Sequence, residues 1–196
     1  MRKTLKMSAR VFLPTLIFAF FISCSVINAP AEEVQKEQPE EEQERDCTPM
    51  QEISYANGMA YQNDKLFTGE VCSLHSNGEV HTLTSYREGS KDGLWEIFFA
   101  DGKREKSGFT RQGNDDGLYR EWHANSELKY EYHYDLGTKV GVWKSWYEDG
   151  IRYTERHFEN DDLNGKVLVW DESGKLAKEY DYINGRLMNS QMHFKE

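Results

Sequence analysis

Six histidines, three cysteines and 34 carboxylates are the side chains from which this 196-residue chain would have to build a reactive centre. His133 and His157 are matched by type and surroundings, filling the same slot in "YEYHYD" and "YTERHFE", 24 residues apart. One ion shared by both needs each ring at about 2 Å, whereas equivalent residues two strands apart in a sheet stand roughly 9.5 Å from each other. No metal centre is expected from them. The segment "NDDLNGKVLVWD", residues 160–171, imitates a calcium loop, with Asp162, Asn164, Gly165 and Asp171 near the required places. It departs at its first position, Asn160, and at its last, Asp171, where a bidentate Glu belongs. Carboxylates abound, yet no pair is marked out by spacing, and no G-x-S-x-G, H-E-x-x-H or phosphate loop occurs. The expectation is a chain with no metal, no cofactor and no catalytic set, hence not an enzyme.

The cysteines point to other chemistry. Residues 1–23 carry Arg2, Lys3, Lys6 and Arg10 without an acid, then the apolar run "VFLPTLIFAFFI". That run falls short of the roughly 20 residues of a membrane-spanning helix and reads as an export signal. It ends in Phe21-Ile22-Ser23-Cys24, which resembles the bacterial lipobox, so Cys24 is expected to carry lipid, palmitate or a similar acyl chain. Cleavage after "APA", Ala29 to Ala31, is the alternative and would leave a soluble secreted protein; an uncleaved anchor is the third. With Cys24 so used, Cys47 and Cys72 remain as a disulfide pair, which an oxidising compartment permits and which would stabilise by about 3 kcal/mol. Two unpaired thiols are the other possibility.

Residues 24–46 form the lipidated cysteine and a tether. Its stretch "PAEEVQKEQPEEEQERD" has eight acids, two bases and no aromatic, a composition that cannot offset its own ordering entropy. Loss of the signal's four positive charges moves the formal charge from −10 to −14. Such a balance argues against nucleic acid and against adhesion to anionic lipid headgroups, leaving contact with a membrane through the N-terminal lipid only.

What must position any surface residue is a 24-residue period. Gly69, Gly93, Gly117, Gly141 and Gly165 recur without a slip; nine residues after each come Gly78, Gly102, Ser126, Gly150 and Gly174; twenty after each come Gly89, Gly113, Gly137, Asp161 and Gly185. Residues rich in β-branched and aromatic side chains run between the first two marks, so each unit is expected to be one β-hairpin. Asn77-Gly78, Asp101-Gly102, Asn125-Ser126, Asp149-Gly150 and Ser173-Gly174 suggest two-residue type I′ turns. That register sets Gly141 against Phe158, Trp143 against Arg156 and Lys144 against Glu155. It likewise sets Gly69, Gly117 and Gly165 against Tyr86, Tyr134 and Tyr182, with each ring expected to cover its partner glycine. Gly93 meets Thr110, which suggests a bulge in the second unit.

These marks resemble the MORN repeat, in the variant G-x-W-x-x-Y-Y-x-x-G of bacterial YwqK-type antitoxins. The resemblance extends to "YANGMAYQNDKLFTGEV" (55–71), which is similar to that family's opening N-G-x-x-Y and P-F-T-G. It implies an all-β, elongated, single-layer antiparallel sheet of consecutive hairpins. The organisation expected is an opening, capping unit over 47–68, five repeats over 69–188 and a tail over 189–196. Strand alternation puts Leu74, Phe98, Trp122, Trp146 and Trp170 in one column and Val71, Trp95, Tyr119, Trp143 and Val167 in another on the opposite face, with Tyr153 on the side of Trp146. Phe98, Trp122, Trp146 and Trp170 are the candidate binding face; the second column is expected to be structural. The functional expectation is a non-enzymatic, tethered, extracytoplasmic scaffold for an unidentified protein partner, lodged in the outer membrane if the source has one. Neutralisation of a toxic protein, as the resemblance implies, and glycan binding are the alternatives.

Overall fold

The computed structural model describes Lys6–Met7 and residues 45–193. Cys24 and most of the signal and tether lie outside the described residues, as do positions 194–196. β1 (Lys6–Met7) pairs with β2 (Arg45–Asp46). The opening unit holds β3 (Thr48–Pro49), a 3-10 turn over Met50–Glu52, and a small three-stranded sheet of β4 (Ser54–Ala56), β5 (Met59–Gln62) and β6 (Lys65–Leu66). The repeats supply β7 (Gly69–Leu74), β8 (Val80–Arg87), β9 (Ser90–Phe98), β10 (Arg104–Arg111), β11 (Asn114–Asp115) and β12 (Gly117–Trp122). They continue as β13 (Leu128–Asp135), β14 (Thr138–Trp146), β15 (Arg152–Glu159), β16 (Asp162–Trp170), β17 (Leu176–Ile183) and β18 (Arg186–Met192). From β7 onward each strand pairs antiparallel with its neighbours in chain order, β11 adding a short pairing to β10. One long open sheet of successive hairpins results, as expected. β18 runs to Met192, so the first residues assigned to the tail belong to the sheet.

The expected register is present, but the turns that produce it are not the expected ones. Gly141 pairs with Phe158, Trp143 with Arg156 and Lys144 with Glu155; Gly69, Gly117 and Gly165 face Tyr86, Tyr134 and Tyr182; Gly93 faces Thr110. At the second mark only Gly78, Gly102, Ser126, Gly150 and Gly174 have positive φ, not the residues before them. In the fourth unit Tyr147 N–H donates to Ile151 O and Gly150 N–H to Tyr147 O, which closes a three-residue loop. A bulge then follows, because Trp146 pairs with Arg152 while Ser145 pairs with Thr154, leaving Tyr153 extra. One residue more in the loop and one more in the strand restore the register of a two-residue turn. His81, Glu105, Lys129 and Ala177 are the extra residues of the other units, so the bulge is not peculiar to the second.

The type I′ turns lie at the third mark instead. Glu88-Gly89, Gln112-Gly113, Leu136-Gly137, Asn160-Asp161 and Asn184-Gly185 all have positive φ at both residues. There the second turn residue donates its N–H back into the previous unit, always to the carbonyl two residues before a first-mark glycine. The bonds are Gly89 to Phe67 (2.8 Å), Gly113 to Lys91 (2.7 Å), Gly137 to Asp115 (2.7 Å), Asp161 to Lys139 (3.1 Å) and Gly185 to Leu163 (2.9 Å). Side chains of Thr68, Asp92, Asp116 and Asn164 accept the N–H of the first turn residue. The register shifts by two around Gly93, Gly141 and Gly165, whose φ values are +117°, +68° and +113°. This left-handed geometry, rather than a covering ring, is what selects glycine. A Cβ at Gly69 would meet Phe67, at Gly141 His133 and at Gly165 His157, not the cross-strand aromatic. The glycine that does lie beneath a cross-strand ring is Gly108, under Trp95.

The N-terminal end is closed on both faces. Ile53, Ala60 and Phe67 of the opening unit pack with Val71 and Tyr86. On the other side Cys72, Val80, Leu83 and Phe98 gather around Cys47. The Cys47–Cys72 disulfide is formed, and β3 lies parallel to β7 as the sheet's first strand. Gly89 is pressed against the opening unit: a Cβ there would stand 2.7 Å from Leu66 Cδ2 and 3.1 Å from Ala60 O, whereas nothing lies within 4 Å at Gly102. Both have φ +82°, so Gly102→Ala isolates the left-handed strain, about 1–2 kcal/mol. Gly89→Ala adds overpacking of about 1–3 kcal/mol. Denaturant unfolding of the two variants is expected to show that gap; equal losses would mean the opening unit does not dock there.

Candidate interaction surface

A sheet one layer thick offers two faces, and the register sorts the aromatic residues between them. On one face the cross-strand row runs through Trp95, Tyr119, Tyr132, Trp143 and Arg156, with Phe158 beside it. The rings stack into a ladder: Trp95 to Tyr119 at 5.8 Å, Tyr119 to Tyr132 at 5.6 Å, Tyr132 to Trp143 at 4.1 Å and Trp143 to Phe158 at 4.8 Å. Tyr132 supplies the rung between two units, which the 24-residue columns alone do not include. Trp143 is 9% exposed, its indole N–H donates to His133 O at 3.0 Å, and Lys139 Nζ lies over its ring and that of Phe158. Burial, then the charge of Tyr130, pushes the Tyr132 phenol up to about 12. Tyr119 is pushed well above its ordinary range by burial first, then by its hydrogen bond to Glu121. These rings are neutral and largely occupied with one another.

The opposite face is built from charge. Glu96, 2% exposed, meets Arg104 Nη2 at 2.9 Å. Arg120 reaches Glu131 at 2.9 Å and Lys144 reaches the same carboxylate at 3.6 Å. Arg152 and His157 share Glu155, and Lys166 is joined to Glu179. These ion pairs occupy the middle of the strands, and the tryptophan column runs beside them. Arg104 stands over Trp122 at 5.5 Å, and Arg152 lies over both Trp146, at 5.8 Å, and Trp170, at 5.7 Å. One guanidinium thus bridges two units by cation–π contact.

Of the residues expected to bind, Trp122, Trp146 and Trp170 share this face and are half-buried. Phe98 is set apart, at 4% exposure inside the cluster with Cys72, Val80 and Leu83. Tyr153 was expected beside Trp146, but the bulge turns it onto Tyr147, ring centres 4.8 Å apart. His133 and His157 sit beside Gly141 and Gly165 of the following strands. Asp162 opens β16 and Asp171 follows its last residue, roughly 30 Å of extended chain away, and Asp171 accepts the N–H groups of Ser173 and Lys175. No calcium loop exists there. Among the described residues no group of three or more His, Cys, Asp or Glu side chains is arranged to hold a metal ion. What sequence reasoning missed are the arginines over the tryptophans: Arg104 and Arg152 each sit two residues after a second-mark glycine, a spacing visible in the chain but without meaning until the loop length is known.

Residues 115–136, 139–160 and 163–184 match the MORN repeat variant family. Each matched segment begins at a carbonyl that accepts the bond from the next turn and ends at the first residue of a type I′ turn. No curated protein matches the chain.

Two measurements test the division of labour between the faces. Trp143→Ala is expected to cost about 3–5 kcal/mol, as for buried aromatic residues, and Trp146→Ala about 1–2 kcal/mol, from a half-buried ring and one cation–π contact. Equal losses in denaturant unfolding would show that both columns are structural. For Glu131, desolvation raises the pKa, but the hydrogen bond and charge of Arg120, with Lys144, outweigh it and hold the carboxyl below its usual range. A depressed folded value means stability that is present above the unfolded pKa and lost as pH falls through the folded one. The stability gap between wild type and Glu131→Gln is therefore expected to be widest near neutral pH and to close in acid; a gap independent of pH would contradict it.

Proposed function

We propose that this MORN-repeat protein is a non-enzymatic scaffold, held outside the cytoplasm by lipid on Cys24, that presents the face of Trp122, Trp146 and Trp170 to a protein partner. The observation that carries the reading is the contrast between the two aromatic sets. Ladder rings are packed against one another, whereas the three tryptophans are half-buried and stand under arginine side chains beside a row of ion pairs. Aromatic and arginine side chains side by side are the composition of protein-binding centres. A sugar would need the ring faces bare, and guanidinium groups occupy them, which favours a protein over a glycan.

The anchor follows from Phe21-Ile22-Ser23-Cys24 and the acidic stretch after it. With 22 residues from Ser25 to Asp46, the tether would reach up to about 70 Å from a membrane surface. Ser25 carries no aspartate-type retention signal, so the outer membrane of a two-membraned cell is the compartment that fits. Neutralisation of a toxic protein would use the same face with a different partner.

Cross-linking in intact envelope followed by pull-down is expected to return one stoichiometric protein from the wild type and to lose it, by roughly 10-fold or more, in Trp146→Ala/Trp170→Ala, as for central aromatic anchors. Recovery of polysaccharide alone, or retention by the double variant, would overturn the assignment of partner and face. Cys24→Ala is expected to move the chain from the detergent phase to the aqueous phase. A mature N-terminus at Glu32 would instead establish cleavage after "APA".

A further inference from the structure

The bulge that turns Tyr153 onto Tyr147 recurs in every repeat, and where the residue before the three-residue loop and the extra residue after it both carry rings, those rings meet. The slots hold Phe99 and Glu105 in the second unit, His123 and Lys129 in the third, Tyr147 and Tyr153 in the fourth, Asp171 and Ala177 in the fifth. In the first they hold His75 and His81, whose ring centres lie 4.4 Å apart at 45°. We infer that His75 and His81 form a binding site for a divalent transition ion of the kind imidazole favours, such as Zn²⁺ or Cu²⁺.

Two features prepare the pair. His75 Nε2 lies 2.8 Å from Phe98 O. A carbonyl can only accept, so Nε2 carries the hydrogen and the lone pair is left on Nδ1. A backbone carbonyl fixing the tautomer and orientation of a ligating histidine is the usual outer-shell arrangement of metal sites. The ring spacing also suits a shared ion. With metal–nitrogen distances of ~2.0–2.1 Å, two imidazoles at 90–109° on one ion have centres roughly 4.5–5.2 Å apart, close to the 4.4 Å between these two rings. Water or a partner's donor would complete the coordination. The third unit is a built-in control: His123 Nε2 makes the same bond, to Trp146 O at 3.3 Å, but the slot equivalent to His81 holds Lys129, whose ammonium offers no lone pair to a metal and is engaged with Glu121.

Calorimetric titration of the full chain with Zn²⁺, in excess Mg²⁺ to saturate carboxylate surfaces, is expected to show one ion bound and a raised unfolding midpoint. His81→Lys, which installs the residue the third unit carries and keeps the His75 bond to Phe98, is expected to weaken binding at least 10-fold and to abolish the shift in midpoint. His123→Ala is expected to change neither. Absence of binding by the wild type, or binding that survives His81→Lys, would overturn the inference; the second outcome would assign the ion to other surface histidines or carboxylates.

Discussion

A sheet one layer thick has no second layer to bury itself against, so each hairpin must be fastened to its neighbours. Here the fastening is the N–H of the second turn residue, donated to a carbonyl in the unit before, from Gly89–Phe67 through Gly185–Leu163. For that amide to point backward, both turn residues take left-handed φ, and the strand that supplies the carbonyl kinks at a left-handed glycine. The bond recurs in each unit with the same separation, which makes the period invariant: an insertion inside a unit would break it. Polar side chains before the glycine, Asp92 and Asp116 among them, bind the neighbouring turn amide and reinforce the same junction.

Burial is distributed accordingly. Among the described residues, the clusters of buried apolar side chains lie at the N-terminal end, where the opening unit covers one face and Cys47 with Phe98 the other. Beyond it, stability comes from neighbour terms of two kinds, as in other linear repeats: ring on ring across one face, where Glu121 with Lys106 and Lys129 adjoins the ladder, and ion pairs across the other. Ser73 with Thr82 and Ser145 with Thr154 add paired hydroxyls at equivalent positions. A charged fraction of 30% with 38% hydrophobic residues is therefore compatible with a stable fold, because charged groups such as Arg104 with Glu96 and Arg120 with Glu131 make lateral contacts between strands. The same arrangement leaves the far end open: Leu187, Met188 and Met192 of β18 are exposed, and the outer edge of that strand pairs with no described residue.

Periodicity was enough to read the hairpins, their register and the alternation of the two columns; the Cys47–Cys72 pair came from the cysteine count instead. Glycine spacing reports backbone conformation directly, and cross-strand register follows arithmetically from the period. The turn types were misread because Asp-Gly suits a left-handed pair in isolation, and one residue of loop plus one of bulge reproduces the register of the shorter turn. Sequence spacing cannot distinguish those two solutions, since they pair the same residues through most of the strand.

Side-chain neighbours around the turns depended on that unresolved choice. Tyr153 faces Tyr147, His81 faces His75, and Arg152 reaches both Trp146 and Trp170, because a bulge rotates the strand locally and alternation no longer applies there. Phe98 left the tryptophan column in a similar way: its unit abuts the closed end, so the same slot that is half-open in later repeats is buried by Cys72, Val80 and Leu83. The chain by itself determined a ribbon of five hairpins, for the period is written in single residues whose backbone preferences are local. Which slots meet and which stay open was decided only by tertiary structure, because those contacts arise where bulges and the capped end break the period's own symmetry.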